Sequence, residues 1–82
     1  MEQEILAFVH LQFAAAIGRS AIEPATPLFS SGVIDSFGVL EVIAFLEDRF
    51  NIRINHARHD IRDFDTVDKM AGLVRALRAN AV

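Results

Sequence analysis

The sequence contains no cysteine, no tryptophan and no tyrosine. The absence of cysteine excludes disulfide bonds, thiolate metal ligands and cysteine nucleophiles. Basic residues are also few, because eight lysines and arginines stand against eleven aspartates and glutamates and give a formal charge of −3. This charge opposes general binding to nucleic acid or to anionic membranes and favours a basic partner. Any thiol that the protein uses must be supplied by another molecule.

Long apolar runs are missing as well. The apolar run over residues 5–17 is too short to cross a bilayer, and it follows the acidic start MEQE, which is unlike a secretory signal. We therefore expect a cytoplasmic protein without membrane insertion. Eighty-two residues predict one domain over 1–82, and a chain of this length buries about 60 to 65 per cent of its unfolded surface. Such a domain has little room for a catalytic cleft.

Helical periodicity predicts a first helix over residues 3–17, followed by Gly18 in the position of a C-terminal cap. The apolar residues at helical spacing are Ile5, Val9, Phe13, Ala16 and Ile17. Prolines, a glycine and three serines over residues 19–34 predict a long loop. Its apolar anchors are Ile22, Leu28, Phe29, Val33 and Ile34. Such anchors predict an ordered loop that places Asp35 in a fixed position.

Residues 36–50 predict a second helix with an apolar core face. The core face comprises Val39, Val42, Ile43, Leu46 and Phe50. The opposite face comprises Phe37, Leu40 and Ala44, with Glu41, Glu47 and Asp48 around them. Two interpretations remain open for this outward face: a docking surface for a basic, partly apolar partner, or the scattered apolar residues that any protein surface carries.

The remaining segments predict a short element and a last helix. Residues 51–55 form an extended loop with Ile52 and Ile54 turned inward, and residues 56–64 form a short helix or turn with Ile61 and Phe64 as core contacts. The last helix begins at Asp65 or Thr66, either of which can accept from free amides, and Asp68 adds negative charge to its first turn. Its inner stripe is Val67, Met70, Ala71, Val74 and Leu77. The prediction is an all-α bundle of three main helices and one short helix.

His56, His59 and Asp60 could form a metal site if their segment were helical. The two histidines would share a face if the segment were helical, but no further ligand is evident nearby. A solvated polar cluster is therefore the favoured interpretation, and no metal is predicted.

The Asp35–Ser36 pair stands where the long loop meets the second helix. Nucleophilic catalysis by Ser36 is disfavoured, because the histidines lie far away in sequence and the G-x-S-x-G pattern is absent. A helix start, with Asp35 as the cap and Ser36 at the first helical position, is physically sound. It explains the aspartate better than the serine, which could also accept a modifying group.

The stretch LFSSGVIDSFGVLEVIAFLEDRFNIRI, followed by FDTVDKMAGLV, resembles the acyl and peptidyl carrier proteins. These proteins carry 4'-phosphopantetheine on the serine of a D-S-[LMF] motif, and the resemblance covers nearly the whole chain. It implies a four-helix fold with Ser36 as the attachment site. It also implies that Asp35 helps to present Ser36 to a phosphopantetheinyl transferase and its Mg²⁺, and that the outward face of the second helix is the docking surface.

The resemblance further implies a monomeric carrier that is not itself an enzyme. The thiol of the prosthetic arm would hold cargo as a thioester, loaded by an ATP-dependent ligase and passed to a downstream acceptor enzyme. Fatty-acid carriers usually have an acidic residue where Gly38 stands, so the form LFSSGVIDSF resembles stand-alone aminoacyl and D-alanyl carriers and peptidyl carrier domains more closely. The alternatives are a fatty-acid or polyketide carrier and a helical interaction domain in which Ser36 is only structural. A helix-turn-helix DNA reader is disfavoured by the negative charge.

Overall fold

The computed structural model describes residues 1–19, 21–55 and 57–79. Its elements are α1 (Glu2–Gln12), α2 (Ala14–Ile17), α3 (Gly38–Phe50), a 3₁₀ helix (Ile61–Phe64) and α4 (Val67–Ala79). The described residues contain no strand, so the prediction of an all-α bundle is confirmed. Within these ranges no helix is long and apolar enough to cross a membrane.

The first predicted helix is interrupted at Phe13. This residue has φ −111° and ψ 27°, outside helical geometry, and separates α1 from the single turn of α2. The prediction of one continuous helix over 3–17 was therefore wrong, and Ala16, assigned to its apolar stripe, is exposed. Gly18 ends α2 with a positive φ of 60°, but its ψ of −125° is not that of the expected left-handed cap.

Helices α1 and α3 run antiparallel and meet along matching faces. Three pairs of side chains, spaced four residues apart on both helices, join them. These are the Glu4–Arg49 ion pair, the stacked rings of Phe8 and Phe45 with centroids 4.0 Å apart, and the hydrogen bond from Gln12 Nε2 to Glu41 Oε2 at 3.0 Å. Because residues four apart lie on one side of a helix, these contacts fix α3 along the length of α1.

The core lies between α1, α3, α4 and the long loop. All of the predicted core residues of α3 are buried except Val39, which is partly buried and packs against the core. In α4 the predicted stripe is buried from Val67 to Val74, and Leu77 is partly buried. Arg75 of α4 donates to Glu2 of α1 at 3.1 Å, so the two ends of the described chain are neighbours.

The long loop is held against the start of α4 by Asp65. Its Oδ1 accepts from the backbone amides of Phe29 and Ser30, both at 2.8 Å, and its Oδ2 accepts from the Ser30 hydroxyl at 2.6 Å. The Asp65 carbonyl accepts from the Leu28 amide at 2.7 Å. The cap of α4 is Thr66, whose hydroxyl accepts from the Lys69 amide at 3.0 Å. Of the two predicted candidates, Thr66 therefore caps the helix while Asp65 orders the loop.

Residues 52–55, which follow α3, have no regular secondary structure, and some of their side chains face inward. Asn51 ends α3 in the left-handed conformation, and Ile52 and Ile54 are buried, as predicted. The short third helix exists only as one 3₁₀ turn, in which Phe64 is buried and Ile61 partly so.

Candidate functional site

Ser36 lies in a turn immediately before α3. Asp35 Oδ1 accepts from the Phe37 amide at 2.9 Å, and the Asp35 carbonyl accepts from the Gly38 amide at 2.8 Å. The carbonyls of Ser36 and Phe37 accept in the same i to i+3 pattern from Val39 and Leu40, both at 3.2 Å. Asp35 thus caps the turn before α3, whereas α3 itself follows Phe37 without a side-chain cap, so the prediction of Ser36 as the first helical residue was wrong. Regular α-helix starts two residues later than expected, because these tight i to i+3 bonds form the first turn.

These bonds also change what the end of α3 offers to an anion. The amides of residues 37–40 all donate within the turn, so they are not free to bind a phosphate. What remains is the helix dipole, which stabilises a negative charge here by about 0.3 to 1 kcal/mol. The turn therefore fixes the backbone at Ser36, and its amides do not form an anion-binding site.

The Ser36 hydroxyl is exposed. Within the described residues, the hydrogen bond that involves Ser36 uses its backbone carbonyl and leaves the side chain free. The groove beside it is lined by Asp35, Phe37, Glu41 and neighbouring residues and contains no histidine that could serve as a base. A serine in this position is suited to being modified by another enzyme.

The position of the turn depends on close packing at Gly38. A Cβ built on Gly38 would lie 2.8 Å from Ile34 Cγ2 and 2.9 Å from Phe13 Cε1, both closer than real Cβ contacts. Ile34 precedes the Asp35–Ser36 pair, and Phe13 is the residue that breaks the first helix. Glycine at this position lets all three segments meet at the base of the Ser36 turn.

Gly38→Ala is therefore expected to destabilise the protein, although alanine is the better helix former. Overpacking against Ile34 and Phe13 costs about 1 to 3 kcal/mol, while the gain in helix propensity is at most about 1 kcal/mol. The matched control is Gly72→Ala in α4, where nothing lies within 4 Å of the new Cβ. The midpoint of urea unfolding should fall to a lower urea concentration for Gly38→Ala. For Gly72→Ala it should stay the same or rise. Equal effects of both variants would contradict this account of the packing.

The outward face of α3 is exposed at most of the predicted positions. Phe37 is 78% exposed and Leu40 58%, so both apolar side chains are accessible from solvent. Ala44 and Asp48 are also exposed. Glu41 is exposed and accepts the hydrogen bond from Gln12. The structure thus presents apolar and acidic side chains together on this helix.

Glu47 differs from the other members of the outward face. It is partly buried, and its Oε2 accepts from the Ile54 amide at 3.0 Å. It therefore helps to hold the extended segment after α3, a role that the sequence did not indicate. The sequence also missed Leu11 of α1, which is 84% exposed, because a single leucine in an apolar stretch is indistinguishable from a core residue before the helix orientation is known.

Among the described residues, the fold does not complete a metal site around His59 and Asp60. His56 lies outside the described residues, and His59 Nδ1 is 3.5 Å from Asp63 Oδ2. Asp60 instead pairs with Arg62, whose hydrogen bonds lower the pKa of the Asp60 carboxyl. In the part of the chain that is described, no group of three histidine, aspartate or glutamate side chains could hold a metal ion.

Comparison with known proteins gives a family match over a range that includes Ser36. Residues 8–74 match the family model described as "Phosphopantetheine attachment site". The D-alanyl carrier protein of Streptococcus sanguinis is 41% identical over 51 residues, which is 62% of this chain and 65% of that protein. The D-alanyl carrier protein of Streptococcus suis is 40% identical over 53 residues, 63% of this chain and 67% of that protein. The match thus spans about two thirds of the relatives' length. No solved structure gave a significant match.

The fold and the Ser36 turn are compatible with the prosthetic group of this family, 4'-phosphopantetheine. An exposed hydroxyl that is not engaged in the fold is the acceptor that such a group requires, and an open groove lies beside it. The absence of cysteine is explained, because the group brings its own thiol. The chain therefore belongs to the phosphopantetheine-binding carrier family, and within it the chain is similar to D-alanyl carrier proteins.

Proposed function

We propose that the protein carries an aminoacyl group, with D-alanine as the first candidate, on 4'-phosphopantetheine attached to Ser36. The observation that carries this proposal is the exposed, unengaged Ser36 hydroxyl at the start of α3, inside the region matched by the family model. The bound group supplies a thiol that holds the cargo as a thioester. The chain supplies an ordered attachment point and a surface on which its enzymes dock.

Attachment requires that Ser36 reach into the active site of a phosphopantetheinyl transferase. The Ser36 oxygen would form a bond to the phosphorus that bears pantetheine in coenzyme A, while the bond from that phosphorus to the adenosine-bearing phosphate breaks. The hydroxyl proton passes to a base on the transferase. Asp35 holds the turn through the Phe37 amide, and we assign to its carboxylate a position next to the Mg²⁺ of the transferase complex.

The choice of an aminoacyl cargo rests on the D-alanyl carrier relatives and on Gly38. The structure supplies a reason for the glycine, because any side chain at this position meets Ile34 and Phe13. An acidic residue of the kind that fatty-acid carriers have here would not fit without repacking. A fatty-acid or polyketide carrier is therefore the second candidate.

The test is to load the phosphopantetheine form of the protein with a purified D-alanine-activating ligase, ATP and D-alanine. The intact mass should increase by one D-alanyl group, and neutral hydroxylamine should remove it, as it cleaves thioesters. L-alanine and a short fatty acid, each with its own activating ligase, are the comparison cargoes. Loading with the fatty acid but not with either amino acid would overturn the aminoacyl proposal and support the second candidate.

We also propose that the ligase and the transferase dock on the outward face of α3. The exposed side chains of Phe37 and Leu40 would occupy an apolar site on the partner. The acidic residues of the same face would steer a basic surface of the partner toward it. Partners of carrier proteins in general include a phosphopantetheinyl transferase, a ligase and an acceptor enzyme. A downstream acceptor enzyme would use the same face.

Phe37→Ala is expected to weaken docking. Loss of an exposed aromatic anchor costs about 1 to 2 kcal/mol in typical interfaces, which would raise the KM of the ligase roughly tenfold. Asp48→Lys should slow loading at low salt, and its matched control is Glu23→Lys in the long loop, which changes the net charge equally. Glu47 is unsuitable for this test because its carboxylate holds Ile54. An unchanged KM for Phe37→Ala would contradict the docking proposal.

A further inference from the structure

The groove beside Ser36 has features of a binding site for an amide-containing chain. It has a volume of about 380 Å³ and lies between the α1–α2 junction and the start of α3. This volume is at the low end of the range of about 300 to 1,000 Å³ that is typical of small-molecule sites. Asp35 and Phe37, which flank Ser36, form one side of it, so the groove is continuous with the attachment position.

The lining of the groove is partly apolar and partly polar. Ala15 and Ala16 contribute small, exposed apolar side chains to it. Gln12 and Glu41 also line the groove and are joined by their 3.0 Å hydrogen bond. That bond uses one amide hydrogen of Gln12 and one carboxylate oxygen of Glu41, which leaves the Gln12 carbonyl, its second N–H and the other Glu41 oxygen for a ligand.

From these features we infer that this groove receives the pantetheine arm attached to Ser36, with Ala15 and Ala16 against its apolar part and Gln12 and Glu41 bonded to its amide groups. The inference rests on the proposed attachment at Ser36. The acidic residues Asp35 and Glu41 repel the phosphate of the arm, so the phosphate remains at the mouth of the groove. The uncharged amide portion is the part whose chemistry matches the lining.

An arm held against the protein is less available to reagents than a free one. If the groove is occupied half of the time, its thiol reacts about twofold more slowly than that of free pantetheine, because reactivity scales with the accessible fraction. The consequence would be that a partner that binds the released arm raises the accessible fraction of the thiol above this value.

The test begins by confirming on intact mass that the protein has gained phosphopantetheine. Amide chemical shifts are then compared before and after attachment, and the arm thiol is titrated with a maleimide. We expect shift changes at Gln12, Ala15, Ala16 and Glu41 and slowed maleimide reaction. Ala15→Leu, which fills the groove, should restore the rate of free pantetheine, whereas the matched control Ala76→Leu on the exposed side of α4 should not.

The outcomes separate the two proposals. Absence of the mass gain would refute attachment and leave no arm to place. A full mass gain with shift changes confined to residues 35–38, and a thiol as reactive as free pantetheine, would overturn the groove inference while leaving attachment intact. Equal reaction rates for Ala15→Leu and the unsubstituted protein would also overturn it.

Discussion

Ser36→Ala is expected to abolish the attachment of phosphopantetheine completely. The substitution removes the acceptor oxygen but no hydrogen bond within the described residues, since Ser36 contributes only its carbonyl to the turn. The free energy of unfolding should therefore change by no more than about 0.5 kcal/mol. The measurement is the intact mass after incubation with coenzyme A, Mg²⁺ and a broad-specificity phosphopantetheinyl transferase, with urea unfolding in parallel.

The matched control is Ser31→Ala, another exposed serine at the end of the same loop. Its hydroxyl donates to the Pro27 carbonyl at 2.7 Å, so this variant should lose some stability and retain full modification. Ser36→Ala should thus lose modification and keep its stability, whereas Ser31→Ala should keep modification and lose some stability. Equal mass gain by Ser36→Ala and the unsubstituted protein would refute attachment at Ser36, and no mass gain in the unsubstituted protein would favour a helical interaction domain.

Asp65→Ala should produce the largest loss of stability among the substitutions considered. It removes the acceptor of three hydrogen bonds from Phe29 and Ser30 and leaves two loop amides without their partner. Hydrogen bonds to a charged acceptor are strong, but the site is partly exposed and water can replace some of them, so we expect a cost of about 2 kcal/mol. Urea unfolding measures this cost, with Asp68→Ala as a control in the neighbouring turn.

The same interaction predicts an acid dependence of stability. Partial burial acts to raise the pKa of Asp65, but the hydrogen bonds from Ser30 and Phe29 outweigh it and hold the pKa below its ordinary value. Because the pKa is lowered in the folded state, the stabilisation is complete above the unfolded pKa of about 3.9 and is lost as the pH falls through the lower folded value.

Asp65→Asn should remove part of this acid sensitivity while costing less than Asp65→Ala near neutral pH. The measurement is the urea midpoint between pH 7 and pH 2. Asp60 also has a lowered pKa, owing to its hydrogen bonds with Arg62, so Asp60→Asn serves as the comparison. If Asp65→Asn kept the full acid sensitivity, the contribution assigned to Asp65 would be wrong.

Much of this fold could be predicted because the strongest patterns are local. The core stripe of α3 and the inner stripe of α4 follow from helical spacing, and the capping oxygen of Asp35 follows from its place before an apolar helix. The buried Ile52 and Ile54 follow from simple alternation. Each of these predictions needed only neighbours within a few residues.

The predictions that failed depend on distant contacts. The alanines after Phe13 favour a continuous helix, whereas in the fold the helix is interrupted at Phe13, whose ring lies close to Gly38, far away in sequence. Asp65 looks like a cap in sequence, but its partners lie 35 and 36 residues away in the loop. Glu47 looks like a surface acid until Ile54 is seen beside it. The groove next to Ser36 is formed by three separate segments and has no sequence signature.

The contact between Glu2 and Arg75 has a practical consequence for how the protein can be handled. It brings the beginning of α1 and the last turns of α4 together, while Gln12, at the other end of α1, lies beside the Ser36 groove. The two positions lie at opposite ends of α1, about 15 Å apart along the helix. A fluorophore, an affinity tag or a surface tether joined at the start of α1 or after α4 would thus leave Ser36 and its groove facing the bulk solution.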